Sequence, residues 1–130
     1  MLGSPLEILV RNAQTDGDFS AVISTNPPGG GPGTNVTHKD RSETFYVIDG
    51  NFTFFVAGKE IKGGPGSMVV NPKGVPHGFK NTRTGDGHLL MIYSPGGFED
   101  FFQEVADKNL KPGPDLGALE GKYGVTRPAP

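Results

Sequence analysis

A chain of 130 residues with a 34% apolar fraction, nine Phe and no Trp or Cys holds material for one domain around one core. A net charge of −2, with both signs mixed and no basic stripe, argues against nucleic-acid binding, and the lack of Cys removes disulfides, thiolate ligands and Cys nucleophiles. Every apolar run is too short to cross a membrane and the first residues lack the charged-then-apolar order of a secretion signal, so a cytoplasmic protein is expected.

The 21 Gly and 12 Pro fall between short apolar runs, which suits a turn-rich all-β domain. Leu6–Arg11 and Phe19–Ser24 read as strands, and Pro27–Gly33 as an irregular loop. Asn35–His38 opens a strand on which Thr34, Val36 and His38 share a face. Glu43–Ile48 alternates, with Phe45 and Val47 on the side of Glu43. Asp49-Gly50-Asn51 has the chemistry of a hairpin turn, Phe52–Val56 returns, and Ala57-Gly58-Lys59 turns again. Glu60–Lys62, Met68–Asn71, His77–Asn81 and His88–Ser94 complete eight or nine short strands, the pattern of a sandwich or barrel. The tail changes period. Phe98, Phe101, Phe102 and Val105 fall at i, i+3, i+4 and i+7, one face of a helix with acidic Glu99 and Asp100 in its first turn. Leu116–Tyr123 reads as a second short helix.

Two stretches carry chemistry. His38 and Glu43 flank a four-residue connection at the ends of two strands expected to be neighbours, and His77 follows the turn Pro72–Pro76. Alone, His38 and Glu43 read as a surface imidazole and a solvated carboxylate beside a turn. On inward strand faces they converge instead, and two imidazoles with one carboxylate form the facial ligand set of Fe(II) sites, which would also take Zn, Mn or Ni. The loop Thr82–Gly87 is expected to form a hairpin that sets His88 beside Asn81, about 13 Å from His77 at ~3.3 Å per residue, too far for a ligand. Val36, Phe45, Phe54, Phe79, Met91 and Tyr93 are candidate pocket walls, with core filling as the other reading of most of them.

Together the two stretches resemble the motifs of the cupin superfamily. Gly66, Pro72, Gly74, His77 and Asn81 match the second motif in full, and His38, Glu43 and Gly50 match the first from its second histidine onward. Val36 stands where the first motif opens with a further His ligand. The segment Tyr93–Phe102 is similar to the end of small single-domain cupins labelled quercetin dioxygenase-like. The resemblance implies an all-β double-stranded β-helix, or jelly-roll barrel, with a short C-terminal helix. Residues 1–29 would add N-terminal strands, 30–95 would form the barrel, and 96–130 the helix and tail. It also implies a divalent metal ion (Fe, Ni, Mn or Zn) held by His38, Glu43 and His77, with one ligand fewer than usual, Glu43 and His77 being catalytic. The function expected is a small-molecule enzyme, dioxygenase-like, acting on an aromatic or polyketide-like substrate. The alternatives are a metal-free binding module and a metal-free isomerase or cyclase. A homodimer is the expected assembly.

Overall fold

The computed structural model describes residues 6–127. Ten strands occur among them: β1 (Leu6–Val10), β2 (Ser20–Asn26), β3 (Gly33–His38), β4 (Ser42–Asp49), β5 (Phe52–Val56), β6 (Lys59–Gly63), β7 (Met68–Asn71), β8 (His77–Asn81), β9 (Gly87–Ser94) and β10 (Val125–Thr126). A 3-10 turn (Asn12–Thr15) joins β1 to β2, and the helices α1 (Glu99–Asp107) and α2 (Pro114–Lys122) precede β10. The strands form two antiparallel five-stranded sheets, in the orders β1-β2-β9-β4-β7 and β10-β3-β8-β5-β6. This is the jelly-roll barrel with C-terminal helices that the motifs implied. No helix of the described residues is long and apolar enough to cross a membrane.

Alternation decides which side chains fill the barrel. Phe45 and Val47 of β4, Phe52 and Phe54 of β5, Phe79 of β8 and Leu89, Met91 and Tyr93 of β9 are almost fully buried, while the residues alternating with them on β4, β5 and β9 are less so. Phe45 stacks on Phe54 at 5.7 Å and meets Phe79 edge-on at 5.1 Å, so aromatic rings bond the two sheets through the core.

Two expected hairpins are not formed. Asp49-Gly50-Asn51 is a corner that carries the chain from β4 in the first sheet to β5 in the second. Gly50 has φ +99°, and a Cβ there would lie 2.9 Å from the Gly87 Cα, so the corner requires glycine by conformation and by space. Thr82–Gly87 likewise crosses between sheets, since β8 pairs with β3 and β5 whereas β9 pairs with β2 and β4. His88 therefore lies opposite Thr25 and Asp49, not beside Asn81, and its Nδ1 is 2.6 Å from Asp49 Oδ1. The Ala57-Gly58 turn does close a hairpin, with Val56 opposite Lys59 and both turn residues at positive φ.

The helical tail closes one end of the barrel. Phe98 and Phe101 are buried, and the Tyr123 ring meets both edge-on at 6.3 and 5.8 Å. Glu104 ties α1 to α2 by accepting hydrogen bonds from the Tyr123 hydroxyl (2.6 Å) and from Lys122 (3.0 Å) and Lys108 (3.1 Å). These partners, the Tyr123 hydrogen bond foremost, bring the Glu104 carboxyl down to about 2. Burial, with Glu104 adding to it, pushes the Tyr123 phenol up to about 12. A raised pKa favours the neutral phenol in the folded state, so its stabilisation is full below pH 10 and fades as pH rises toward 12. Urea midpoints at pH 9 and pH 11 should fall more steeply in the wild type than in Tyr123→Phe; equal slopes would show that the phenol does not hold the helices together.

Candidate metal and ligand site

His38 and Glu43 are not on neighbouring strands. The chain leaves the second sheet at His38 and enters the first at Ser42, so the two side chains face each other across the barrel interior. His77 joins from β8, where its backbone lies opposite Val36 of β3. All three side chains are buried, at 4%, 4% and 2% exposure. Glu43 Oε1 is 2.8 Å from His77 Nε2 and 3.4 Å from His38 Nε2, and the three donor atoms lie within 4.8 Å of one another.

The motif residues hold this arrangement. The Gly74 amide, at positive φ in the Pro72–Pro76 turn, donates to the His38 carbonyl at 2.8 Å and so ties the two stretches together. Asn71 Nδ2 donates to the Glu43 carbonyl at 2.9 Å. Asn81 anchors the far end of β8: its side-chain amide donates to Asn26 and Gly85 carbonyls and its oxygen accepts from the Arg83 amide. His77 Nδ1 donates to the Val75 carbonyl at 2.9 Å, which leaves Nε2 to face Glu43. His38 is set differently. Its Nδ1 is buried without a hydrogen-bond partner, and its ring is held by aromatic packing: Phe98 edge-on at 4.6 Å, His77 stacked at 5.5 Å and Tyr93 tilted at 5.9 Å.

Electrostatics follow from this box. Burial alone would raise the Glu43 carboxyl, but the hydrogen bonds and charges of His38 and His77 outweigh it and bring it down to about 2. Burial opposes charge on His77, yet its hydrogen bond to Glu43 prevails and its pKa is raised. Tyr93 is kept a neutral phenol, its pKa driven well above 10 by burial and by the Glu43 charge.

The three groups lie at the inner end of a cavity of about 490 Å³. Of the candidate walls, Val36 and Phe79 line it; Phe45, Phe54, Met91 and Tyr93 do not, and instead fill the barrel core behind it. Much of the wall comes from residues that the strand pattern could not place: Phe98 just before α1, Phe101, Phe102 and Val105 of α1, Leu116 and Glu120 of α2, and Val125 beside them. The apolar face of α1 was legible as a stripe, but nothing in it tells packing from lining. β10, only two residues long, sets Val125 opposite His38 and gave no strand signal. Glu99, placed by the sequence in the first turn of the helix, is 1% exposed and accepts from the Asn12 amide (2.6 Å) and the Gly97 amide (2.9 Å). His88 stays outside the cluster.

The family model described as a cupin domain matches residues 22–93. Quercetin 2,3-dioxygenase of Bacillus subtilis (strain 168) is 31% identical over 103 residues, covering 77% of this chain and 29% of that protein. The chain thus spans under a third of that relative's length. An RmlC-like cupin from Shewanella frigidimarina NCIMB 400 superposes with a TM-score of 0.65 at 25% identity, over 78% of this chain and 83% of that one. A predicted oxalate decarboxylase from Thermotoga maritima gives 0.62 at 23% identity, over 73% and 86%, a likeness of fold. With more than half of its length inside the family match and both motifs on facing strands of one barrel, the chain belongs to the cupin family.

Proposed function

We propose that the barrel is a metal-dependent small-molecule enzyme, dioxygenase-like in its chemistry, in which His38, Glu43 and His77 hold a divalent ion (Fe, Ni, Mn or Zn) and an aromatic or polyketide-like compound occupies the cavity. One observation carries this reading: a buried carboxylate oxygen and two imidazole Nε2 atoms converge at the closed end of an apolar cavity. The residues fit an ion. Metal bonds of ~2.0–2.2 Å bring neighbouring donors to about 3 Å, and the spacings here are 2.8 and 3.4 Å. The Val75 carbonyl holds the His77 Nδ1–H, so an ion would take the Nε2 lone pair once the proton His77 shares with Glu43 has left, and Glu43 is ionised at any pH near neutrality. The ion would supply Lewis-acid activation of a ligand oxygen. The chain's own residues do the rest: Glu43 keeps its negative charge beside the two imidazoles, Val36 and Phe79 exclude water from one flank, and Phe98 closes another. The relative from Bacillus subtilis supports dioxygenase chemistry in kind.

A second reading rests on the Glu43–His77 contact itself, which is an acid–base pair able to work without a metal, as a binding site or an isomerase or cyclase. Purified protein reconstituted with Fe, Ni, Mn and Zn in turn separates the two. The metal reading expects one ion per chain, lost in Glu43→Gln. Protein that retains none of the four sinks it, and turnover that survives chelation but not His77→Ala selects the second.

The homodimer expected from the sequence has a surface to form on. Tyr46, Met68 and Leu90 are register neighbours across β4, β7 and β9, as are Thr44, Val70 and Ile92, and all face outward. Met68 and Val70 are 59% and 57% exposed on the edge strand β7. This flat face carries no charge at those six positions, so a second copy can meet it without burying an unpaired ion. Light scattering should give twice the 13.7 kDa chain mass for the wild type and the single mass for Val70→Asp; a monomeric wild type removes the proposal.

A further inference from the structure

The cupin match ends at residue 93, and most of the cavity wall found among the described residues comes after it. The barrel supplies the polar floor of His38, Glu43 and His77, with Val36 and Phe79 beside it, while the tail from Phe98 onward supplies the side walls and the mouth. These two parts differ in kind. Phe102, Val105, Leu110 and Leu116 are apolar and only half-buried, so their remaining exposed surface faces the cavity. Half-buried apolar side chains that converge on one space form a wall with unspent contact area.

The mouth is built to keep that wall in place. Arg127 donates to both Glu120 oxygens (2.8–3.2 Å) and, through Nη1, to the Pro32 carbonyl at 2.6 Å. One side chain thereby joins the end of β10, helix α2 and the loop before β3 around the opening. Glu104 fixes α1 to α2 on the other side. Arg127, Lys122 and Lys108 already have carboxylate partners, whereas Lys111, also on the wall, pairs only with the neutral Asn109 Oδ1 at 3.2 Å.

We propose that this C-terminal cap selects the ligand, and that the ligand is an aromatic molecule of at least two rings with one oxygen-bearing end. The oxygen end points to the His38, Glu43 and His77 floor, and the second ring lies against Phe102, Val105 and Leu116. This inference rests on the cavity being the ligand site proposed above, but not on the presence of a metal.

Phenol and 2-naphthol are suitable probes, since they share the oxygen and differ by one ring. Their affinities for chelated, full-length protein are measured by NMR titration for the wild type, Phe102→Ala, Leu116→Ala and the milder Phe102→Leu. In the wild type, 2-naphthol should bind about tenfold or more tightly than phenol, the gain from burying a second ring. That gain should shrink to about threefold or less in Phe102→Ala and Leu116→Ala, and by an intermediate amount in Phe102→Leu, while phenol affinity stays within about twofold. Equal weakening of both probes, or a full ring increment in the variants, overturns the proposal, and Phe102→Leu keeps it testable if the alanine variants misfold. Metal titration of the same proteins is scored separately: a wild type that takes up no metal yet shows the ring increment, with that increment reduced in the variants, rejects the metal reading and leaves the cap in its role.

Discussion

His77→Ala is expected to lower divalent-metal affinity by at least about 100-fold, a loss of about 2.7 kcal/mol or more, and to destabilise the metal-free protein by about 3–5 kcal/mol. The first loss follows from geometry. His77 Nε2 is the donor nearest Glu43 Oε1, at 2.8 Å, and removing it leaves two donors, fewer than a buried site of this kind uses. The second follows from burial. Glu43 is 4% exposed and is held ionised by His77 and His38; without His77 its charge keeps only the 3.4 Å contact with His38. The magnitude comes from leaving a buried charge without its partner. Competition with a metallochromic dye and urea denaturation of the metal-free form measure the two losses. Unchanged metal affinity would mean that ions bind elsewhere, and unchanged stability would mean that Glu43 finds a proton or water instead.

Val36→His is expected to act in the opposite direction on metal, raising affinity by at least about tenfold, or 1.4 kcal/mol. Val36 is 6% exposed, lines the cavity, and lies on the inward face of β3 two residues before His38, with its backbone opposite His77. An imidazole there would start from the position at which the first motif carries its opening ligand. Val36→Ala is the matched control, since it opens the same space without a donor. A gain shared by Val36→Ala would assign the effect to room and not to coordination. No gain in either variant would show that the irregular register of β3 turns position 36 away from the donors.

The parts of the fold legible in the sequence were those governed by local period. Strict alternation in β4 gave the inward set Glu43, Phe45 and Val47 correctly, and Met91 and Tyr93 of β9 were likewise placed inside, because a strand's side chains have only two directions. The three polar groups of the floor were also legible, since motif spacing fixes which residues begin an inward strand. What was not legible depends on partners distant in sequence. Asp49-Gly50-Asn51 has every local property of a hairpin turn, yet the positive φ of Gly50 serves a corner between sheets. A second crossing between the sheets, at Thr82–Gly87, is what keeps His88 away from Asn81. Inward direction also says nothing of depth: Phe45, Phe54 and Met91 point in as expected but sit where the core is filled, whereas Phe101 and Phe102, legible only as a helix face, reach the cavity. The two residues of β10 are too few for any period to show.

That His38 and His77 come from one sheet and Glu43 from the other has a consequence for folding. No hairpin or single sheet carries the site, so an ion that needs all three donors binds only the assembled molecule. Such an ion stabilises the native state alone, by ~2.7 kcal/mol at a free concentration 100 times its dissociation constant. Metal uptake during refolding would then lag behind strand formation and report the moment at which the two sheets close on each other.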